Sequence, residues 1–379
     1  MPSDALKQLL AGRPIHVLYG GFSNEREISL ASGEAVASAL EGAGLPVRRV
    51  DVDKNFAAEG RDLVAGTGLA FIVLHGEFGE DGEVQELLDG WGVPYTGSGP
   101  KASRRAMDKV QAKRIFLRKG VTTPRWEVTP RDARPEALVA KFGLPLVIKP
   151  TASGSSIGVT IVRKAEEIPA ALAEAGRHQG IPLVEQFIPG REVTVGILGS
   201  EALPVIELRA AGQFYDYRAK YADDAGTEYL CPAPLEPAAA AAVQAMALAA
   251  HRALGCRHFS RVDLRLSTEG TLAIDKAAGA ERFSLMDLRL PTEGLAFVLE
   301  VNTIPGFTGH SLLPKAAAAV GVDFPALVQR IAEMALTAGA KKSAVARKIR
   351  FKARLSKRRL QECTKTLPFS ISNRFIRLS

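Results

Sequence analysis

The chain reads as an α/β protein built from layered sheets and helices, and three observations point there. Short apolar runs alternate with helical stretches, beginning with IHVLYG at 15–20 and then REISLASGEAVASALEGAG. The apolar runs are continuous rather than alternating, as expected of parallel strands covered on both faces. With 379 residues, 46% hydrophobic and 24% charged, the chain is long enough for two or three domains with cores of their own.

The elements follow in order. Gly20-Gly21 turns the first strand into its helix, PVRRVDVD supplies a second strand, and LAFIVLHG a third. That third strand delivers His75 to the loop EFGEDGEV, which leads into the helix VQELLDGWG. VPYTGSGP closes a first domain, residues 1–100, with a parallel sheet. A middle domain, 101–183, opens on one helix over 102–120, passes a connector VTTPRWEVTP, and reaches the strand LPLVIKP. TASGSSIGVTIV then reads as strand, Gly/Ser loop, strand. A third domain, 184–337, holds PLVEQFIPGREVTVGIL, a polar excursion at 213–232, an Ala-rich helix at 237–254, and a final helix FPALVQRIAEMAL.

The formal charge of +8 is unevenly spread. Residues 341–377 carry 13 Lys/Arg against the single acid Glu362, so the body is mildly acidic and 338–379 forms a basic tail, extended or disordered. The tail is either an arm for anionic surfaces or a solvated extension. MPSDALKQLLAGRP lacks the apolar stretch of a secretory signal, and no apolar run reaches the roughly 18 residues of a membrane span. Three cysteines without CxxC spacing indicate neither a disulfide framework nor a zinc site. A cytoplasmic location is the expectation.

Three stretches carry chemistry. Backbone N–H groups of KPTASGSSIG (149–158) can cradle phosphate oxygens, with Lys149 adding a point charge. In VLEVNTIPG (298–306) a strand puts Glu300 and Asn302 on one face. With an aspartate on the neighbouring strand they make a hard-oxygen Mg²⁺ site suited to nucleotide phosphates. FYDYRAKY (214–221) has the composition of a lid.

Together with GGFSNEREISLASG, LHGEFGEDG, YTGSG, MDK, VEQFIPGREVTV and HSLLP, these stretches stand in the order and approximate spacing of the D-alanine–D-alanine ligases. The resemblance covers about residues 14–336 and implies an N-terminal α/β domain followed by a two-domain ATP-grasp clamp of α+β type. It implies ATP and Mg²⁺ (or Mn²⁺, two ions) as cofactors, two D-alanines as substrates, a homodimer, and a role in peptidoglycan precursor synthesis.

The resemblance also implies residue roles. Lys109 and Lys149 match the nucleotide-phosphate lysines, Lys220 the one brought by the lid, and Ser156 a further ATP contact in the Gly/Ser loop. Glu185, Gln186, Phe187 and Ile188 match the hinge that contacts adenine, and Glu192 the ribose-binding acid. Glu25 matches the carboxylate that holds the first D-alanine's ammonium, with His75 beside it; Ser311 and Leu312 match the receivers of the second D-alanine's carboxylate. Gly306, by its backbone N–H, and Arg261 match the two halves of an oxyanion hole. Glu25, Ser155 and Tyr221 match a relay that orients or deprotonates the attacking amine. Tyrosine at 221 matches the dipeptide-forming members rather than those that make D-alanyl-D-lactate.

One feature departs from the family pattern. HFSRVDLRLSTEG (258–270) recurs as RFSLMDLRLPTEG (282–294), so the metal-binding aspartate is duplicated as Asp263 and Asp287. Hairpin spacing to Glu300 favours Asp287, because a compact turn closes at lower entropy cost. Asp263 is the alternative, since only the first copy keeps the arginine two residues earlier, as Arg261; Leu285 holds that place in the second. A bulging insertion would add only about 1–2 kcal/mol of closure cost. Two further outcomes stay open: a catalytically impaired ATP-grasp nucleotide-binding protein, and a ligase with a different second substrate.

Overall fold

Three sheets succeed one another along the chain in the computed structural model, which describes residues 4–152, 154, 157–178, 180–209, 226–267, 295–309 and 311–339. In the first, β1 (Ile15–Gly20), β2 (Val47–Val52) and β3 (Leu69–Ile72) run parallel in the order β2-β1-β3. Helices α1 (Asp4–Leu10), α2 (Arg26–Gly42), α3 (Phe56–Leu63) and α4 (Glu83–Trp91) accompany it. Strands β1 and β3 are buried nearly throughout, as continuous apolar runs should be. Edge strand β2 departs from that pattern and exposes Arg48 and Arg49. Arg49 reaches back to α2, pairing with Glu34 at 2.9 Å and Glu41 at 2.5 Å.

The helix expected over 102–120 is two helices, α5 (Pro100–Met107) and α6 (Lys109–Arg118). Asp108 breaks them. Its backbone is extended (φ −82°, ψ 100°), and its carboxylate accepts from the Gln111 N–H at 3.0 Å as an N-cap. The break fixes Lys109 at the first position of α6, where its N–H donates to the Thr151 carbonyl at 2.9 Å.

The second sheet is antiparallel, ordered β4-β7-β5-β6, from β4 (Trp126–Val128), β5 (Leu146–Pro150), β6 (Thr160–Val162) and β7 (Pro182–Gln186). Strand β4 lies inside the stretch expected to be a bare connector. Leu146, Ile148 and Val184 of this sheet pack on Leu138 and Phe142 of α7 (Pro135–Phe142) and on Ile168 and Leu172 of α8 (Ile168–Ala175).

The third sheet is also antiparallel: β8 (Gly190–Leu198), β9 (Glu201–Arg209), β10 (Glu228–Leu230), β11 (Phe259–Ser267) and β12 (Ala296–Asn302), ordered β10-β9-β8-β11-β12. Helix α9 (Pro237–Leu254) covers one face, with Val243 and Ala247 against Val195, Val262 and Val298. The short helix α10 (Leu312–Ala318) follows β12.

The strand beside β12 is the first copy of the repeat. Arg261 stands opposite Asn302 and Asp263 opposite Glu300, and β11 pairs on its other edge with β8 along its whole length. The hairpin-spacing preference for Asp287 therefore does not describe this pairing; Asp287 lies outside the described residues. Two-sided pairing and the retained Arg261 outweigh a closure penalty that grows only slowly with loop length. The insertion leaves and re-enters at one point, where the Ser267 N–H donates to the Leu295 carbonyl at 2.9 Å.

Candidate active site

Lysines and carboxylates gather where the second and third sheets approach. Glu185 at the end of β7 is buried between two ammonium groups, Lys113 of α6 and Lys149 of β5, each at 2.8 Å. Burial opposes its ionisation, yet the two lysines hold it below the ordinary carboxylate range. Lys113 is fully buried and also donates to Thr123 Oγ1 at 2.6 Å. Burial pulls its pKa down to about 8, against the Glu185 carboxylate. Lys109, one turn earlier on α6, has its Nζ 3.9 Å from Glu300 Oε2 on β12. Lys109 brings positive charge to β12, and Lys149 adds a second ammonium beside Glu185 in the same cluster, a combination suited to phosphate oxygens.

Strand β7 ends at Gln186, and Phe187 and Ile188 lead on into β8, where Glu192 follows. Ile188 is anchored by packing on Leu295 and Phe297. Glu192 pairs with Arg265 of β11 at 3.3 Å.

On β11 the Asp263 carboxylate is held from two sides. Arg261 donates to both oxygens at 2.9 and 2.8 Å, and Thr194 Oγ1 donates to Oδ1 at 2.6 Å. Across the strand pair stands Glu300, and Asn302 Oδ1 accepts from the Ile304 N–H at 3.1 Å. Two carboxylates and a carboxamide on one rigid strand pair are hard oxygen donors that fit a divalent cation of the Mg²⁺ type.

The N-terminal domain supplies the far end of the site. Glu25 directly precedes α2, and a Cβ built at Gly154 of the Gly/Ser loop would lie 3.7 Å from its Oε2. His75 Nδ1 donates to the Ile304 carbonyl at 3.0 Å, which leaves the lone pair of the neutral ring on Nε2. Burial lowers the His75 pKa, although Glu25 and the Ile304 carbonyl oppose it. Nε2 is buried and has no hydrogen-bond partner among the described residues. Glu80 bridges two loops, accepting from the Gly76 N–H at 2.8 Å and the Ile304 N–H at 3.4 Å. At Gly306 a Cβ would fall 2.6 Å from Ser311 Oγ, so a side chain there would have to displace that hydroxyl. Ser311 directly precedes α10, which begins at Leu312, and its hydroxyl accepts from the Thr308 N–H at 2.9 Å.

The predicted residues Glu25, His75, Lys109, Lys149, Glu185 to Ile188, Glu192, Arg261, Glu300, Asn302, Gly306, Ser311 and Leu312 lie on elements that converge here, with Asp263 rather than Asp287 on the paired strand. Ser155, Ser156, Lys220 and Tyr221 lie outside the described residues. Lys113, Glu80, Thr194 and Arg265 are site neighbours that sequence reasoning missed. Lys113 sits four residues after Lys109, one helical turn along the same face, and that spacing was the available signal. Thr194 and Arg265 gain their partners only through strand register.

Three sheets in this succession, with a lysine and carboxylate cluster between the second and third, define an ATP-grasp fold behind an N-terminal α/β domain. The family models "D-ala D-ala ligase N-terminus" and "D-ala D-ala ligase C-terminus" match residues 48–98 and residues 117–278 and 274–333. The second of these is matched twice, and the later match opens just before the second copy of the repeat. The chain is 43% identical over 323 residues to a D-alanine–D-alanine ligase of Anaeromyxobacter sp. (strain Fw109-5), covering 84% of this chain and 96% of that one. It is 43% identical over 325 residues to that of Syntrophotalea carbinolica, covering 86% and 97%. Among solved structures, the D-alanine–D-alanine ligase of Bacillus anthracis complexed with ATP superposes with TM-score 0.70 at 31% identity, covering 87% and 99%. The VanG D-Ala:D-Ser ligase of Enterococcus faecalis gives TM-score 0.70 at 27% identity, covering 85% and 99%. The chain belongs to the D-alanine–D-alanine ligase family.

Proposed function

We propose that the protein joins two D-alanines into D-alanyl-D-alanine with ATP as the phosphoryl donor, for peptidoglycan precursor synthesis. The observation that carries this reading is the strand pair β11–β12. It sets Arg261, Asp263, Glu300 and Asn302 together, with Lys109 reaching Glu300 and the β12–α10 loop docked on His75.

The first D-alanine is held by its ammonium at Glu25, beside the buried Nε2 lone pair of His75. Its carboxylate oxygen attacks the γ-phosphorus of ATP; the new O–P bond forms as the bond to ADP breaks, giving an acyl phosphate. Lys109 and Lys149 offset the negative charge that accumulates as two anions meet. A divalent cation such as Mg²⁺ or Mn²⁺, with Asp263, Glu300 and Asn302 as its holders and two ions expected, would neutralise phosphate oxygens. The amine of the second D-alanine, whose carboxylate lies toward Ser311 and Leu312, then attacks the acyl carbon. Arg261 and the Gly306 N–H stabilise the oxyanion, the relay Glu25–Ser155–Tyr221 takes the amine proton, and the C–O bond to phosphate breaks. Arg261 and Asp263 on one paired strand favour turnover over a catalytically impaired protein. A homodimer and a cytoplasmic location accompany this reading; among the described residues no helix is long and apolar enough to cross a membrane.

The test is D-alanine-dependent phosphate release from ATP and Mg²⁺ by the wild type, Asp263→Asn and Asp287→Asn. Wild type and Asp287→Asn should turn over, and Asp263→Asn should lose at least about a hundredfold. Phosphate release that ignores D-alanine overturns the ligase reading. Loss confined to Asp287→Asn overturns the assignment of the first copy. D-serine and D-lactate as second substrates, run in parallel, test the choice of nucleophile.

A further inference from the structure

The geometry points to Arg265 as the residue that positions the sugar end of the nucleotide site and sets its discrimination for ribose hydroxyls. Its guanidinium spans the whole turn between β7 and β8. Nε donates to the Ile188 carbonyl at 3.1 Å, Nη2 to the Gly190 carbonyl at 2.7 Å, and Nη1 pairs with Glu192 Oε2 at 3.3 Å. The carbon of the same guanidinium lies 5.6 Å from the centre of the Phe187 ring. One planar fork with donors in fixed directions thus holds two carbonyls and a carboxylate while stacking on an aromatic face, which an ammonium cannot do.

Arg265 also stands two residues beyond Asp263 on β11, so both side chains leave the same face of that strand. The strand that presents the cation-holding carboxylate therefore also fixes where the Glu192 carboxylate sits. Side chains of Arg265 and Glu192 are 19% and 17% exposed, partly shielded from competing water. Arg265 is a positioning residue; it acts through Glu192 and the turn rather than on the reacting atoms. The inference rests on the reading of Glu192 as the ribose-binding acid, and the experiment separates the two.

Steady-state kinetics with ATP, 2′-deoxy-ATP and 3′-deoxy-ATP would be measured for wild type, Arg265→Gln, Arg265→Lys and Glu192→Gln, each checked for folding by its melting temperature. Arg265→Gln should raise the KM for ATP about tenfold, with kcat within about twofold and the KM for D-alanine unchanged. It should also bring the kcat/KM preference for ATP over the deoxynucleotides down by about fivefold or more. Arg265→Lys keeps the charge but not the fork, and should fall between. A residue that merely stapled the sheet would lower the melting temperature and leave the preference intact, and that result overturns the inference. If Glu192→Gln removes the preference while both Arg265 variants keep it, the ribose reading stands and the Arg265 inference falls. If Glu192→Gln leaves the preference untouched, the ribose reading falls and takes the Arg265 inference with it.

Discussion

Glu80 is one of two carboxylates that share a dry space. It is buried, close to the Glu25 carboxylate, and tied by its two oxygens to the N–H groups of Gly76 and Ile304. Burial first, and Glu25 second, push its pKa up to about 8. A carboxyl raised in the folded state takes up a proton that the unfolded chain releases. Its stabilising contribution is whole below the unfolded carboxylate range and disappears as pH climbs through about 8. Glu80→Gln removes the titration at nearly the same shape but gives up one acceptor, because its NH2 must face the N–H of either Gly76 or Ile304. The melting temperature of the wild type, taken relative to the variant, should be higher at pH 5 than at pH 9. Parallel curves across that range would mean that Glu80 does not titrate as argued.

At the scale of elements the duplicated strand makes the sharpest claim. Deleting residues 271–294 leaves Thr268, Glu269 and Gly270 as a three-residue turn between Ser267 and Leu295, a length that hairpins favour when glycine closes it. Because β11 already pairs with both β8 and β12, this deletion should keep kcat within about threefold and raise the melting temperature slightly through the shorter loop. A deletion that folds yet loses turnover would assign the second copy a catalytic part. The choice between the copies was not legible in the chain, because hairpin spacing is a local signal and the decisive contacts are not. Thr194, which holds Asp263, is 69 positions away. The parallel strands, the Ala-rich helix and most residues that converge at the candidate site were legible, since periodicity and motif order lie along the sequence itself. The break at Asp108 was not, because an aspartate inside a helix-forming stretch looks the same whether it caps or continues. Strand β4 hid for a different reason: three residues are too few to display a period.

The N-terminal domain and the third sheet are joined through the loop after β12. Ile304 packs with Leu18, Ile72, Leu74 and Phe78 in the N-terminal core, and the Phe307 N–H donates to Ser32 Oγ at 3.2 Å. The Phe307 ring meets Phe71 and Phe259 edge-on at 5.8 and 5.5 Å, joining the first sheet to the third. A nucleotide bound across the second and third sheets therefore adds its stabilisation to one connected body. A non-hydrolysable ATP analogue with Mg²⁺ should raise a single melting transition, by about 2.7 kcal/mol at a hundredfold excess over its dissociation constant. Two transitions, of which only one moves, would mean that the N-terminal domain melts alone. The Ser267–Leu295 hydrogen bond has a use beyond this enzyme's own chemistry. Its two ends lie one strand spacing apart, at a point where the chain already carries an extra stretch of its own sequence. A small reporter domain with adjacent termini could be grafted there in place of 268–294, reading out nucleotide occupancy from the neighbouring strand.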